Sequence, residues 1–152
     1  MVIEAVYENV ESKQQIFRDV NAFWPERTIL ASSTSAIISS RFAEVTQRPD
    51  RVLVTHYTKP AYVSLLVEIV RTEQTSDETV GIMFQVLKKS GKRPVVVQKE
   101  VLGFIAVRLE VAMAREALSM VQRGIASPED IGTVLPPIFS RVLKCVTGGV
   151  CF

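Results

Sequence analysis

Cysteine is nearly absent from this chain: Cys145 and Cys151 are the only two, and both fall in the last stretch of the sequence. No spaced set of Cys and His exists, which argues against a zinc site. Two late thiols without a signal peptide read as free cysteines in a reducing compartment. Histidine occurs once, as His56, so any imidazole chemistry runs through that one side chain. Long apolar runs are lacking too. Stretches such as residues 61–70 are too short or too interrupted to span a bilayer, so no membrane partner is expected. The first residues have no basic segment and no transit character, and a cytoplasmic product is the default. Charge of one sign is not in excess. The net charge of +2 is too small to argue for nucleic acid. The one basic cluster, Lys88, Lys89, Lys92 and Arg93, sits beside Ser90 and Gly91 and reads as a solvated turn. Internal repeats and low-complexity segments are absent.

What is present is an ordinary globular composition, 47% hydrophobic and 22% charged over 152 residues. That length suits one domain or parts of two. Residues 2–6 read as a short buried strand. Residues 8–23 read as a helix, with Val10, Phe17 and Val20 apolar at helical spacing and Pro25 ending it. Residues 28–32 form a second apolar run. Residues 34–45 are expected to be a helix with Ser33 or Thr34 as N-cap. Residues 51–55 and 63–70 are further strands. Ser76 caps a helix running to about Lys89, with Val80, Met83, Phe84 and Leu87 inward, and residues 94–97 are a fifth strand.

Continuous apolar strands alternating with helices predict a mostly parallel α/β sheet covered on both faces. After Gly103 the pattern changes. Residues 104–123 read as one long helix, with Arg108, Arg115, Ser119 and Gln122 as a polar stripe and Gly124 at its end. Ser127-Pro128 opens another helix. The expected division is residues 1–102 as the α/β part and 103–152 as the start of an all-α part. A natural domain seldom opens directly in a strand, so the expectation is that something upstream is missing.

His56 follows an apolar strand and precedes Pro60. In parallel sheets, functional residues gather at the carboxyl ends of strands. Glu68 lies inside Leu65-Leu66-Val67-Glu68-Ile69-Val70. A carboxylate buried there without a partner costs several kcal/mol, roughly the price of an unpaired charge. His56 is a candidate partner. A carboxylate on one ring nitrogen fixes the tautomer and raises the basicity of the other, as a general base for alcohol oxidation requires. Two other readings stay open: His56 as a surface residue on a loop, and Glu68 paired with Arg71.

The segment Thr55-His56-Tyr57-Thr58-Lys59-Pro60, followed by Leu65–Val70, is similar to the catalytic segment of the NAD-dependent 3-hydroxyacyl-CoA dehydrogenase family. Ile29-Leu30-Ala31-Ser32-Ser33-Thr34-Ser35 resembles that family's Ser-Asn-Thr-Ser segment, with Ser33 in place of Asn. Val2-Ile3-Glu4-Ala5-Val6-Tyr7-Glu8-Asn9 resembles its Val-Glu-Ala segment, with Lys13 also in place. Gly103-Phe104-Ile105 and Gly124 to Asp130 resemble the start of its helical domain.

The resemblance implies a partial Rossmann-like sheet, NAD as cofactor and a small hydroxyacyl substrate. It implies His56 and Glu68 as the catalytic dyad, with Glu68 orienting the imidazole. It implies Ser35 at the substrate and the nicotinamide ribose, and Glu8, Lys13 and Lys59 along the nicotinamide half of the cofactor cleft. A homodimer through the helical part is a family habit. Relatives acting on L-gulonate or carnitine share the dyad, so a related 3-hydroxy acid is an alternative substrate.

The sequence also departs from the family. Lys59 stands where the family has Asn. Val107 stands at the Asn of Gly-Phe-Ile-x-Asn-Arg and cannot hydrogen-bond through its side chain. The family's Gly-x-Gly-x-x-Gly turn, which lets the backbone approach the pyrophosphate, has no counterpart. Only the nicotinamide half of the site is therefore expected here. The tail departs from about residue 131, where Pro136-Pro137 interrupts any helix. The alternative reading is a truncated, non-catalytic remnant, or a fragment that docks on a full-length partner.

Overall fold

Apolar strands and amphipathic helices alternate along the chain, and the sheet they build carries helices on both faces. The structure, a computed structural model, describes residues 1–134. The chain divides into two compact units, Met1–Ile105 and the part from Ala106 onward.

In the first unit the order is β1 (Val2–Glu4), α1 (Val10–Phe23), β2 (Leu30–Ser32), α2 (Ser40–Ala43), β3 (Val52–Tyr57), β4 (Leu66–Arg71), α3 (Asp77–Lys89) and β5 (Arg93–Val97). Among the described residues these strands form one five-stranded sheet in sequence order, β1-β2-β3-β4-β5. Only β3 and β4 run antiparallel; the other neighbours are parallel. The mostly parallel α/β expectation therefore holds, with one hairpin in it.

Each face has its own apolar layer. Leu30, Val52, Val54, Val70 and Val97 pack with Phe17 of α1, Phe42 of α2 and Phe104. Phe17 and Phe42 stack with ring centroids 5.0 Å apart. The opposite face brings Ala31, Leu53, Val67 and Ile69 against Val80, Met83 and Leu87 of α3. Fully burying each large side chain contributes about 1.5–3 kcal/mol.

The helix ends follow local rules. Asn9 caps α1, its side chain accepting the Ser12 N–H at 2.8 Å. Ser76 caps α3 through the Thr79 N–H, with Asp77 and Glu78 in the first turn and Lys88 and Lys89 in the last, which complements the helix dipole. Lys92 is not simply solvated: its ammonium donates to the carbonyls of Ala61 (2.6 Å) and Ser64 (2.9 Å), tying down the β3–β4 loop.

The helix expected over residues 34–45 is reduced to Ser40–Ala43, with Ser39 before it. Side chains have taken the backbone groups that a helix would use. Glu8 accepts the N–H groups of Ser35 and Ala36, and the Thr34 hydroxyl accepts that of Ile37. Such local capture competes with helix formation.

The second unit, as far as it is described, holds α4 (Ala106–Gln122) and α5 (Pro128–Val134). Gly124 takes φ 66°, and the Ile125 and Gly124 N–H groups close on Met120 and Val121, a left-handed cap that glycine accommodates. Ala117 and Ile131 are its buried apolar residues. The expectations for the tail, including Pro136, Pro137, Cys145 and Cys151, lie outside the described residues. Among those described, no helix is long and apolar enough to cross a membrane.

Candidate functional site

Strand periodicity places the site. Neighbouring residues in paired strands share a face, and residues two apart along a strand do as well. Glu4 pairs with Ser32, and Ser32 with Val54. Val54 pairs with Val70, and His56 with Glu68. Glu4, Ser32, His56 and Glu68 therefore share the face that carries Phe104, all toward the carboxyl ends of the parallel strands β1 to β3.

His56 and Glu68 sit directly opposite one another across the hairpin. His56 Nδ1 lies 2.6 Å from Glu68 Oε2. Glu68 is fully buried and His56 is 5% exposed. Of the open readings, the pairing of His56 with Glu68 is the one observed; Arg71 instead meets Asp77 at 2.6 Å. The other carboxylate oxygen, Oε1, accepts the Ile105 N–H at 2.7 Å. That N–H is aimed by a turn in which Gly103 (φ 76°) and Phe104 (φ 49°) are both left-handed. For Phe104 this conformation costs roughly 1–3 kcal/mol. Complete burial of the ring, 5.2 Å from the imidazole, offsets it.

With Nδ1 held by a carboxylate, the neutral ring carries its proton on Nδ1 and leaves Nε2 as the acceptor. Among the described residues Nε2 has no hydrogen-bond partner. The pair is a buried base with one free lone pair.

A second polar group lies at the ends of β1 and β2. Lys13, 1% exposed, donates to Glu4 Oε1 at 2.8 Å and to the Val6 carbonyl at 3.2 Å. Its ammonium is also 3.5 Å from Glu8 Oε2. Lys13 is thus a buried partner of Glu4 and Glu8. Glu8 precedes the α1 cap. Burial alone would raise its carboxyl, but the Thr34 hydroxyl, the Ala36 N–H, the Lys13 ammonium and the Ser35 N–H together hold it below its ordinary value of 4.5. Ser35 is exposed, with its N–H on Glu8 Oε1 at 3.1 Å. Lys59 is exposed on the loop after β3 and makes no ion pair among the described residues. Glu8, Lys13 and Ser35 are thus brought together, His56 and Glu68 are brought together, and Lys59 makes no hydrogen bond or ion pair to either set.

Sequence reasoning passed over Glu4, Ser32, Thr34 and Phe104. Glu4 had a signal: like Glu68, it is a carboxylate in an apolar strand and needed a partner.

Because the Glu8 carboxyl is lowered on folding, it contributes stability above its unfolded value that is lost as pH falls through its folded value. Glu8→Gln is expected to be less stable than the parent at neutral pH, and the gap should close as pH drops below about 4.5. Thermal unfolding of both proteins across acid pH measures this. A gap that stays constant would mean that the hydrogen bonds, and not the charge, matter.

A mostly parallel sheet whose strand ends carry polar side chains defines an α/β protein with a ligand site at the carboxyl ends of its strands. The family model described as "3-hydroxyacyl-CoA dehydrogenase, NAD binding domain" matches residues 1–101, and that of the family's C-terminal domain matches residues 103–138. The chain belongs to the 3-hydroxyacyl-CoA dehydrogenase family.

It is 38% identical over 135 residues to the human mitochondrial hydroxyacyl-coenzyme A dehydrogenase, covering 89% of this chain and 43% of that protein. It is 34% identical over 133 residues to 5-formyl-3-hydroxy-2-methylpyridine 4-carboxylate 5-dehydrogenase of Mesorhizobium japonicum, covering 88% of this chain and 43% of that one. The crystal structure of (S)-3-hydroxybutyryl-CoA dehydrogenase from Ralstonia eutropha superposes with TM-score 0.84 at 37% identity, over 96% of this chain and 53% of that one. The chain thus spans less than half the length of these two curated relatives.

Proposed function

We propose that this chain carries the base and the nicotinamide half of an NAD-dependent 3-hydroxyacyl-CoA dehydrogenase site. The observation that carries the reading is the buried His56–Glu68 pair, 2.6 Å apart on adjacent strands. Residues 1–102 form the C-terminal part of the dinucleotide-binding domain in this reading. Residues 103–152 begin a helical domain for substrate and for homodimer formation, and the product is cytoplasmic.

The residues present suit the cofactor. An exposed carboxylate edge at Glu8, a buried ammonium at Lys13 and the Ser35 hydroxyl lie together at the carboxyl ends of parallel strands. Glu8, Ser35 and Lys59 would face NAD, with Lys13 holding Glu8 in place behind them. When bound, NAD supplies the ring that takes up hydride. His56 Nε2 removes the proton of the substrate's 3-hydroxyl. Glu68 keeps that nitrogen free and stabilises the imidazolium that results. Ser35 donates to the hydroxyl or thioester region. The substrate is a 3-hydroxyacyl thioester. A related 3-hydroxy acid would use the same dyad.

The test is formation of reduced cofactor by the purified chain with 3-hydroxybutyryl-CoA and NAD, preceded by calorimetric titration of NAD. His56→Ala is expected to abolish turnover while leaving NAD binding in place. Turnover that survives His56→Ala would sink the assignment. Absence of NAD binding would favour the non-catalytic alternative.

A further inference from the structure

We propose that Glu4 is a positioning residue for the nicotinamide half of the site, acting through Lys13 and Glu8; the inference rests on the placement of that half given above. A closed ring of polar contacts links the three. The Ser32 hydroxyl donates to Glu4 Oε2 at 2.7 Å, and Lys13 Nζ donates to Glu4 Oε1 at 2.8 Å. Lys13 Nζ meets Glu8 Oε2 at 3.5 Å. The Thr34 hydroxyl donates to Glu8 Oε1, and the Thr34 N–H returns to Ser32 Oγ at 3.3 Å.

The ring is graded from inside to outside. Glu4 and Ser32 are buried, at 5% and 0% exposure, and Lys13 is at 1%. The Glu8 side chain is 42% exposed and is the member a ligand can reach. An ammonium has three protons. Lys13 donates to Glu4 Oε1 and to the Val6 carbonyl and stands 3.5 Å from Glu8 Oε2, so its buried ammonium is turned toward protein acceptors. Lys13 therefore acts by pinning Glu8, and Glu4 acts by pinning Lys13. The strands gain little register from such a group, since a buried ion pair seldom stabilises more than apolar packing of the same volume. Its place is on the His56–Glu68 face, at the carboxyl ends of the parallel strands.

Charge gives the ring a second consequence. With Glu4 and Glu8 ionised and Lys13 protonated, the group carries one net negative charge. The nicotinamide ring is cationic only when oxidised. The ring of residues thus favours the oxidised cofactor, and Glu4 supplies the excess negative charge.

The experiment uses the full chain, Glu4→Gln and Ser32→Ala, each titrated with NAD and with NADH. Glu4→Gln keeps the shape and removes the charge. It is expected to weaken NAD by about tenfold more than NADH, the scale of one charge at intermediate dielectric. Ser32→Ala opens the ring without changing charge and is expected to weaken both cofactors equally. Equal weakening of both by Glu4→Gln would overturn the charge argument. A cofactor-free measurement decides the positioning itself: exchange of the Lys13 ammonium protons with water, followed by NMR. Slow exchange in the parent and fast exchange in Glu4→Gln supports it; unchanged exchange overturns it. If the parent chain binds neither cofactor, the proposed function falls, and the exchange measurement still decides whether Glu4 holds Lys13.

Discussion

Glu68→Gln is expected to lower hydride transfer by about 10³–10⁴-fold, on the scale seen when the carboxylate behind a catalytic imidazole becomes an amide. The reason lies in two of the bonds that Glu68 makes. Both of its oxygens act as acceptors, Oε2 beside His56 Nδ1 and Oε1 from the Ile105 N–H. A glutamine has one oxygen and one NH₂. If its oxygen stays on Ile105, the NH₂ faces Nδ1, and the ring must move its proton to Nε2, where it can no longer accept one from substrate. If the amide turns over, two N–H groups face each other at Ile105. Either way a buried group is mismatched, at about 1–3 kcal/mol. Imidazole nitrogen chemical shifts report the tautomer without any turnover. Protonation at Nδ1 in the parent and at Nε2 in Glu68→Gln is the expected result. An unchanged tautomer with an unchanged rate would remove Glu68 from the proton path.

Lys13→Met is expected to cost about 3–5 kcal/mol of folding free energy, the cost of stripping one partner from a buried ion pair. Lys13 is 1% exposed and Glu4 5%, so neither water nor another cation among the described residues replaces the lost ammonium. For a chain of this size such a loss lowers the melting temperature by roughly ten degrees or more. The double variant Lys13→Met, Glu4→Gln should recover most of the loss, because the stranded charge goes with it. Residues in one network couple in this way, and the double-mutant cycle measures the coupling. A double variant no more stable than Lys13→Met alone would show that the methylenes of Lys13, and not its charge, hold the group together.

The two halves of the site differ in how far the sequence displayed them. His56 and Glu68 were legible because His56 directly follows one strand-like run and Glu68 lies inside the next. The hairpin register, centred on Tyr62, then places them opposite one another. The Glu4–Lys13–Glu8 ring was not fully legible. Lys13 was placed at the cofactor cleft by the family resemblance alone, and only the packing of α1 on the sheet buries it. The helix expected over residues 34–45 failed for a related reason. Its apolar spacing was adequate, but the distant carboxylate of Glu8 captured the N–H groups of Ser35 and Ala36.

The sequence by itself determined the alternation of strands and helices, the cap at Ser76, and the two carboxylate-bearing strands. These depend on period, capping chemistry and burial, which act over a few residues. The tertiary structure alone decided that β3 and β4 run antiparallel and that the Gly103–Phe104 turn turns the Ile105 N–H onto Glu68. It alone decided that Glu4, far from His56 in the chain, lies on the same face of the sheet. Those outcomes depend on which distant groups become neighbours when the sheet closes, and a buried charge finds its partner only then.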